Sequence, residues 1–175
     1  MTKFARTYGS ALFDLAKEEG IDSRILQDLV MISDAIDQIP GYLRLLQSPA
    51  LGSEERSALI DEAWKDSVHA YSLNFLKMLC DKEKAGEFSE CADEFRQLFN
   101  REHGIVPAKL TSAVPLSDDI TDRLIAVLEK KTGKKIELSV ETDESIIGGL
   151  RLDIDGMRYD GTVSGHLEEI RKLLK

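Results

Sequence analysis

Apolar side chains recur every three or four positions in six segments of the first hundred residues. This spacing places them on one face of an α-helix. The segments are separated by short breaks rich in glycine, proline and serine. We expect Ser23 and Ser53 to cap helices, and Pro40-Gly41 to end the second one. Because such short breaks favour antiparallel neighbours, the pattern predicts an N-terminal six-helix bundle.

The pattern changes after Gly104, where β-branched residues begin to alternate with polar ones. A strand is predicted over residues 105–114, with Pro107 indicating an edge or a strand start. A helix capped by Ser117 follows, then two alternating segments. An Asp155-Gly156 hairpin turn leads into a further strand at Met157–Tyr159, and a final helix runs from about Thr162 to Leu174. The fold class is therefore α+β: a helical domain over residues 1–105 and a small mixed α/β domain over residues 106–175.

Composition narrows the classes of partner. The chain has 175 residues, 42% of them hydrophobic, and a net charge of −9. This acidity disfavours binding to nucleic acid or to an anionic membrane. Residues 1–105 hold 12 basic and 19 acidic side chains, so we expect this half to receive a basic segment of a partner. No apolar run approaches a membrane span and no signal peptide begins the chain, so we expect it to stay in its compartment of synthesis.

Few residues suggest a catalytic, redox or metal-binding site. Cys80 and Cys91 do not form a CxxC pair, and we expect reduced structural thiols. The three histidines share no ligand-type spacing, and carboxylate pairs such as Asp118-Asp119 lie at predicted helix ends. We therefore predict no metal, no cofactor and no catalytic residue, although catalytic groups can converge in three dimensions from distant positions.

Five glycines fall between Ser145 and Gly165, which raises the possibility of a phosphate-binding loop. A P-loop needs Lys and Ser or Thr directly after its last glycine, whereas Gly148-Gly149 is followed by Leu150 and an arginine. The dinucleotide fingerprint needs three glycines at fixed spacing between a strand and a helix. We favour a structural role: close backbone approach at Gly149, positive φ at Gly156 and a change of direction at Gly161.

Read with its flanks, the same stretch resembles the delta subunit family of F-type ATP synthases, whose mitochondrial member is the oligomycin-sensitivity-conferring protein. The matching positions form an Asp-x-Ser-x-Ile-Gly-Gly motif and an Asp-Gly-Thr-Val motif: Asp143, Ser145, Ile147, Gly148, Gly149, Asp160, Gly161, Thr162, Val163 and Leu167. Similar motifs occur earlier, at Tyr8, Ala11, Leu12, Phe13, Ala16, Asn74, Phe75, Leu76 and Leu79, and at Ser112, Ala113, Pro115, Leu116 and Ser117. Two positions depart from the family: Asp155-Gly156 replaces the usual Gly-Asp turn, and Ser164 replaces a frequent arginine.

The resemblance implies a non-catalytic stator subunit that links the catalytic head of the synthase to the peripheral stalk. It implies that the helical domain binds N-terminal segments of the alpha subunits, and that the C-terminal domain binds the stalk b subunits. The expected location is the cytoplasmic face of the bacterial cell membrane, reached through the complex and without membrane insertion. Candidate residues for an alpha-subunit helix are those on the first and fifth helices: Tyr8, Ala11, Leu12, Leu15, Phe75, Met78 and Leu79.

Two other functions remain open at this point. A free-standing helical adaptor would share the helices, but it would have no reason to carry the Ile-Gly-Gly and Asp-Gly-Thr motifs. A small-molecule enzyme would need an inter-domain cleft with convergent polar groups of perturbed pKa.

Overall fold

The structure is a computed structural model, and it describes residues 1–146, 148–154 and 156–161. The predicted final helix, together with Thr162, Val163, Ser164 and Leu167, lies outside these residues. Backbone contacts divide the chain into two compact units, Met1–Phe99 and Asn100–Lys175. The fold is α+β: the described residues contain seven α-helices and a four-stranded mixed sheet.

All but one of the seven helices precede the strands. They are α1 (Lys3–Glu18), α2 (Asp22–Gln38), α3 (Pro40–Leu46), α4 (Ser53–Trp64), α5 (Ala70–Asp81) and α6 (Phe88–Glu102), with a 3-10 turn at Ala85–Glu87 before α6. The six helical segments predicted from periodicity are therefore present, in the predicted order.

Two predicted helix caps are wrong in detail. Helix α2 begins at Asp22 with Ile21 as its N-cap, and α4 begins at Ser53 with Gly52 as its N-cap. Ser23 and Ser53 thus lie inside their helices. At the start of α4, the Glu55 carboxylate accepts the backbone N–H of the N-cap residue Gly52 at 3.2 Å, which is the glutamate half of a capping box. The second helix does end before Pro40-Gly41, as predicted: α2 ends at Gln38, and Pro40 begins α3, since the first helical position needs no N–H donor.

The core of the first unit combines aliphatic stripes with aromatic pairs. The rings of Phe13 and Phe95 meet edge to face at 5.4 Å between centroids, which packs α1 against α6. Gly9 allows this approach, because a Cβ there would lie 2.7 Å from the backbone oxygen of Cys91. The largest fully buried side chains of this unit are Phe88, Phe95, Ile25, Leu29, Ile32, Leu46, Ile60, Leu76, Leu79 and Asp28.

The second unit is a sheet of strand order β2-β1-β3-β4. Its elements are β1 (Ile105–Ser112), α7 (Asp118–Thr132), β2 (Lys135–Thr142), β3 (Leu150–Ile154) and β4 (Met157–Asp160). Strand β1 pairs in parallel with β2, and the pairs β1–β3 and β3–β4 are antiparallel.

Pro107 lies near the start of an inner strand, so of its two predicted positions the sheet edge is wrong and the strand start is close to what is found. Strand β1 pairs with β2 from Ile105 onward, but its pairing with β3 begins only at Ala108. Pro107 therefore has a neighbouring strand on one side only, which makes its missing donor tolerable.

Helix α7 packs against one face of the sheet. It begins after Ser117 and ends at Gly133, whose φ of 67° is the left-handed conformation that glycine adopts most easily. A hydrophobic cluster joins the helix to the sheet through Val106, Ala108, Ile136, Ile154, Ile125, Leu128, Leu138 and Leu152.

Candidate functional site

An apolar groove of about 280 Å³ lies between α1 and α5 of the first unit. Each helix contributes residues spaced by three or four positions, so each presents one continuous face. The lining residues are Tyr8, Ala11, Leu12, Leu15, Tyr71, Asn74, Phe75 and Met78. A shallow apolar channel between two helices is the geometry that receives an amphipathic helix.

Six of the seven residues predicted for partner binding line this groove. Leu12 and Phe75 are buried and form its floor, whereas Ala11 is exposed and Leu15 is 39% exposed. The structure places the seventh, Leu79, elsewhere: it is fully buried in the core of the unit. Its sequence spacing is compatible with either location.

Tyr71 and Asn74 were not among the predicted residues. They complete the i, i+3, i+4, i+7 series with Phe75 and Met78 along α5. That periodicity was visible in the sequence, but no rule separated this face of α5 from the face that enters the core.

The start of α5 is held by a buried carboxylate from α2. Asp28 is 1% exposed, and its Oδ2 accepts hydrogen bonds from the backbone N–H of His69 at 2.7 Å and the Ser72 hydroxyl at 2.9 Å. The Arg24 guanidinium lies 3.1 Å from Asp28 Oδ1 and also donates to the Ser67 carbonyl at 2.7 Å. This network connects α2 to the first turn of α5, next to the groove.

His69 connects the Asp28 network to the groove residue Tyr71. Its Nδ1 accepts the backbone N–H of Tyr71 at 3.2 Å, and the two rings meet edge to face at 5.1 Å between centroids. The side chain of His69 therefore acts as the N-cap of α5.

The glycine-rich stretch shapes turns of the second unit. Gly148 and Gly149 have φ of 106° and 95° just before β3, and Gly156 has φ of 75° in the β3–β4 turn. Gly161 donates its N–H to the Leu150 carbonyl at 2.9 Å, and a Cβ there would lie 3.2 Å from the same oxygen. Ile147 and Asp155 lie outside the described residues.

The first aspartates of the Asp-x-Ser-x-Ile-Gly-Gly and Asp-Gly-Thr-Val motifs, Asp143 and Asp160, make local contacts. Asp143 accepts the backbone N–H of Ser145 at 2.9 Å, and hydrogen bonding from Ser145 lowers the pKa of its carboxyl below the usual value. Asp160 lies opposite Arg151 across the β3–β4 pair, with a 3.4 Å ion pair between them.

A second cavity, of about 500 Å³, lies in the second unit between α7 and the β3–β4 hairpin. Its wall includes Met157 and Tyr159, which are 58% and 53% exposed, and its edge carries Lys131 and Lys134. No sequence pattern indicated this cavity, since Met157 and Tyr159 fall in a short predicted strand without a clear buried face.

Groups suited to catalysis are sparse in the described part of the chain. No cluster of three or more His, Cys, Asp or Glu side chains there could hold a metal ion. Cys80 and Cys91 are buried free thiols, and burial raises their pKa to about 11 and about 12. Both thiols are therefore protonated at neutral pH, and their nucleophilicity is low.

Comparisons with known proteins agree with one another. Residues 4–174 match the family described as ATP synthase delta (OSCP) subunit. The chain is 32% identical over 170 residues to ATP synthase subunit delta of Pelodictyon phaeoclathratiforme, covering 97% of this chain and 96% of that protein. It is 32% identical over 174 residues to ATP synthase subunit delta of Alkaliphilus oremlandii, covering 97% of both chains.

The fold is similar to a chain in the cryo-EM structure of the Toxoplasma gondii mitochondrial ATP synthase hexamer. The TM-score is 0.77 at 19% identity, covering 99% of this chain and 98% of that one. None of the helices in the described ranges has the length and apolar character that crossing a bilayer requires. The family match spans nearly the whole chain, and the protein belongs to the ATP synthase delta (OSCP) subunit family.

Proposed function

We propose that the α1–α5 groove receives an N-terminal helix of an alpha subunit of the synthase. Membership of the delta family makes the chain a non-catalytic stator subunit. It links the catalytic head to the peripheral stalk, so that rotor-driven proton flow is coupled to ATP synthesis. The observation that supports the alpha-subunit site is the groove itself, since it joins six residues of α1 and α5 that the family resemblance assigned to that contact.

The proposal assigns one partner to each part of the chain. Residues 1–105, with their six helices forming a bundle, bind the head, and residues 106–175 bind the b subunits of the stalk. On this view the subunit lies at the cytoplasmic face of the bacterial cell membrane and is held there by the complex. The bacterial relatives named above support that location.

Ala11 provides the sharpest test of the groove. It is exposed at the centre of the α1 face, where its small side chain leaves room for a guest helix. Ala11→Asp would bury a charge against the apolar face of that helix, so we expect peptide binding to weaken by about 2 kcal/mol or more. The measurement is calorimetric titration of the full chain with a synthetic N-terminal peptide of the alpha subunit from the same organism.

The matched control is Ala58→Asp, because Ala58 is also an exposed alanine inside a helix, in α4, and does not line the groove. We expect this variant to bind normally. Circular dichroism checks that both variants stay folded. Unchanged affinity in a folded Ala11→Asp variant would remove the groove from the binding site.

A further inference from the structure

We propose that the α1–α5 groove sets the direction of the helix it receives, because its two ends carry opposite charges. The inference rests on the proposed function and adds the polarity of the guest. An acidic end of the guest helix lies beside Lys82, and a basic end lies beside Glu18 and Glu19.

The relative direction of α1 and α5 determines which residues lie together at each end of the groove. Lys82 directly follows α5, and its ammonium lies 5.8 Å from the centroid of the Tyr8 ring. Tyr71 lies about three turns before Lys82 in α5, and Leu15 lies about two turns after Tyr8 in α1. Tyr71 and Leu15 line the same groove as Tyr8. The two helices therefore run antiparallel. We call the end with Tyr8 the lysine end, and the end with Leu15 the carboxylate end.

Lys82 supplies the positive charge of the lysine end. It is exposed and lies one turn after the groove residue Met78, on the same face of the helix. The neighbouring Lys84 is engaged differently: its ammonium forms an ion pair with Glu87 at 2.8 Å. The cation–π contact with Tyr8 holds the Lys82 ammonium over the groove wall, and an ammonium has three donors to offer a guest carboxylate.

Glu18 and Glu19 supply the negative charge of the carboxylate end. Both are exposed, and they lie three and four positions after Leu15, so they continue the groove face of α1. Lys17 lies two positions after Leu15, which turns it to the other side of the helix. The first turn of α5, at the same end, contains no acidic residue. The carboxylates of α1 therefore determine the charge at this end.

The helix dipoles do not determine the polarity. Because α1 and α5 are antiparallel, each end of the groove combines one helix N-terminus with one helix C-terminus, and their partial charges oppose each other. The charged side chains then decide which way a guest lies. Exposed ion pairs are weak, so each end should change affinity by a small factor, about threefold to tenfold on charge reversal.

The experiment has two parts. The first is titration of the full chain with the synthetic alpha-subunit N-terminal peptide from the same organism. We expect Lys82→Glu to weaken binding about threefold to tenfold, and replacing the acidic end residue of the peptide by lysine to restore the affinity of this variant. The control is Lys130→Glu, which changes the net charge equally at an exposed lysine of the other unit and should bind like the unchanged protein.

The second part measures direction. A nitroxide placed at the acidic end of the peptide should broaden the amide NMR signals of Tyr8 and Lys82 more than those of Leu15 and Tyr71. The opposite pattern, or a Lys82→Glu variant with unchanged affinity, overturns the inference. If Ala11→Asp still weakens binding in that case, the groove remains the alpha-subunit site. A peptide that does not bind the unchanged protein overturns both.

Discussion

Asp28 is the buried charge on which the position of α5 depends, and its removal gives a quantitative prediction. Asp28→Ala deletes two hydrogen bonds to a charged acceptor, one from the backbone of His69 and one from the hydroxyl of Ser72. It also leaves the guanidinium of Arg24 without its buried partner. Each such bond contributes about 1.5–3 kcal/mol, but Arg24 is half exposed and can regain water. We therefore expect the free energy of unfolding to fall by about 3 kcal/mol.

The single tryptophan makes this loss measurable in the full chain. Trp64 lies in the first unit, where its indole N–H donates to the Tyr42 hydroxyl at 2.7 Å, so its fluorescence follows the unfolding of that unit. With a urea dependence of about 1.5 kcal/mol per molar, a loss of about 3 kcal/mol lowers the midpoint by about 2 M.

Two further variants separate the effect of the buried hydrogen bonds from the effect of removing a negative charge. Asp34→Ala removes an exposed carboxylate from the same helix, and it should change the free energy of unfolding by less than about 0.5 kcal/mol. Asp28→Asn keeps an acceptor oxygen and loses the charge, so its loss in the free energy of unfolding should lie between those of Asp28→Ala and Asp34→Ala. A loss below about 1 kcal/mol in Asp28→Ala would refute the reasoning, because the buried network would then contribute no more than a surface pair.

Two other predictions concern the second unit and the boundary between the units. Gly156→Val should destabilise the second unit by roughly 1–2 kcal/mol, since its φ of 75° disfavours any residue with a Cβ; faster amide hydrogen exchange in β3 and β4 would show this, and unchanged exchange would contradict it. Limited proteolysis should cut first near residues 100–105 and leave a stable helical fragment, because the backbone contacts divide there; early cuts confined to the first hundred residues would show that the boundary is wrong.

The order of the elements could be predicted from the sequence, because periods of 3.6 and 2 differ over even short segments. The first residues of the helices were harder to predict from the sequence. A serine before an apolar run suggests a cap, but the N-cap of α4 is Gly52, whose backbone N–H is accepted by the Glu55 carboxylate, and the helix begins at Ser53, one residue earlier than a serine cap predicted. Pro107 left a sheet edge and a strand start open, because the sequence records the missing N–H but not the length of the neighbouring strand β3.

The candidate site was predictable as a pair of faces and not residue by residue. Leu79 and Met78 are adjacent on α5, yet Leu79 enters the core and Met78 lines the groove. That choice depends on where the neighbouring helices lie. The one sequence signal of the network beneath α5 is Asp28 itself, a carboxylate in the apolar series of Ile25, Leu29 and Ile32. A polar residue in such a series indicates a buried partner, but it does not identify His69 or Ser72.

The sheet order has a consequence for how the chain folds as it is synthesised. Strand β1 is made first but lies in the interior of the sheet, between β2 and β3. Its pairing with β3 joins Ala108 to Ile154, which leaves the ribosome much later. All six helices that precede β1 have been synthesised before the chain reaches β3, so they can fold early, whereas β1 waits with both edges unpaired. An unpaired strand edge invites pairing with other chains. The second unit is therefore the part of the nascent protein that most needs protection from aggregation.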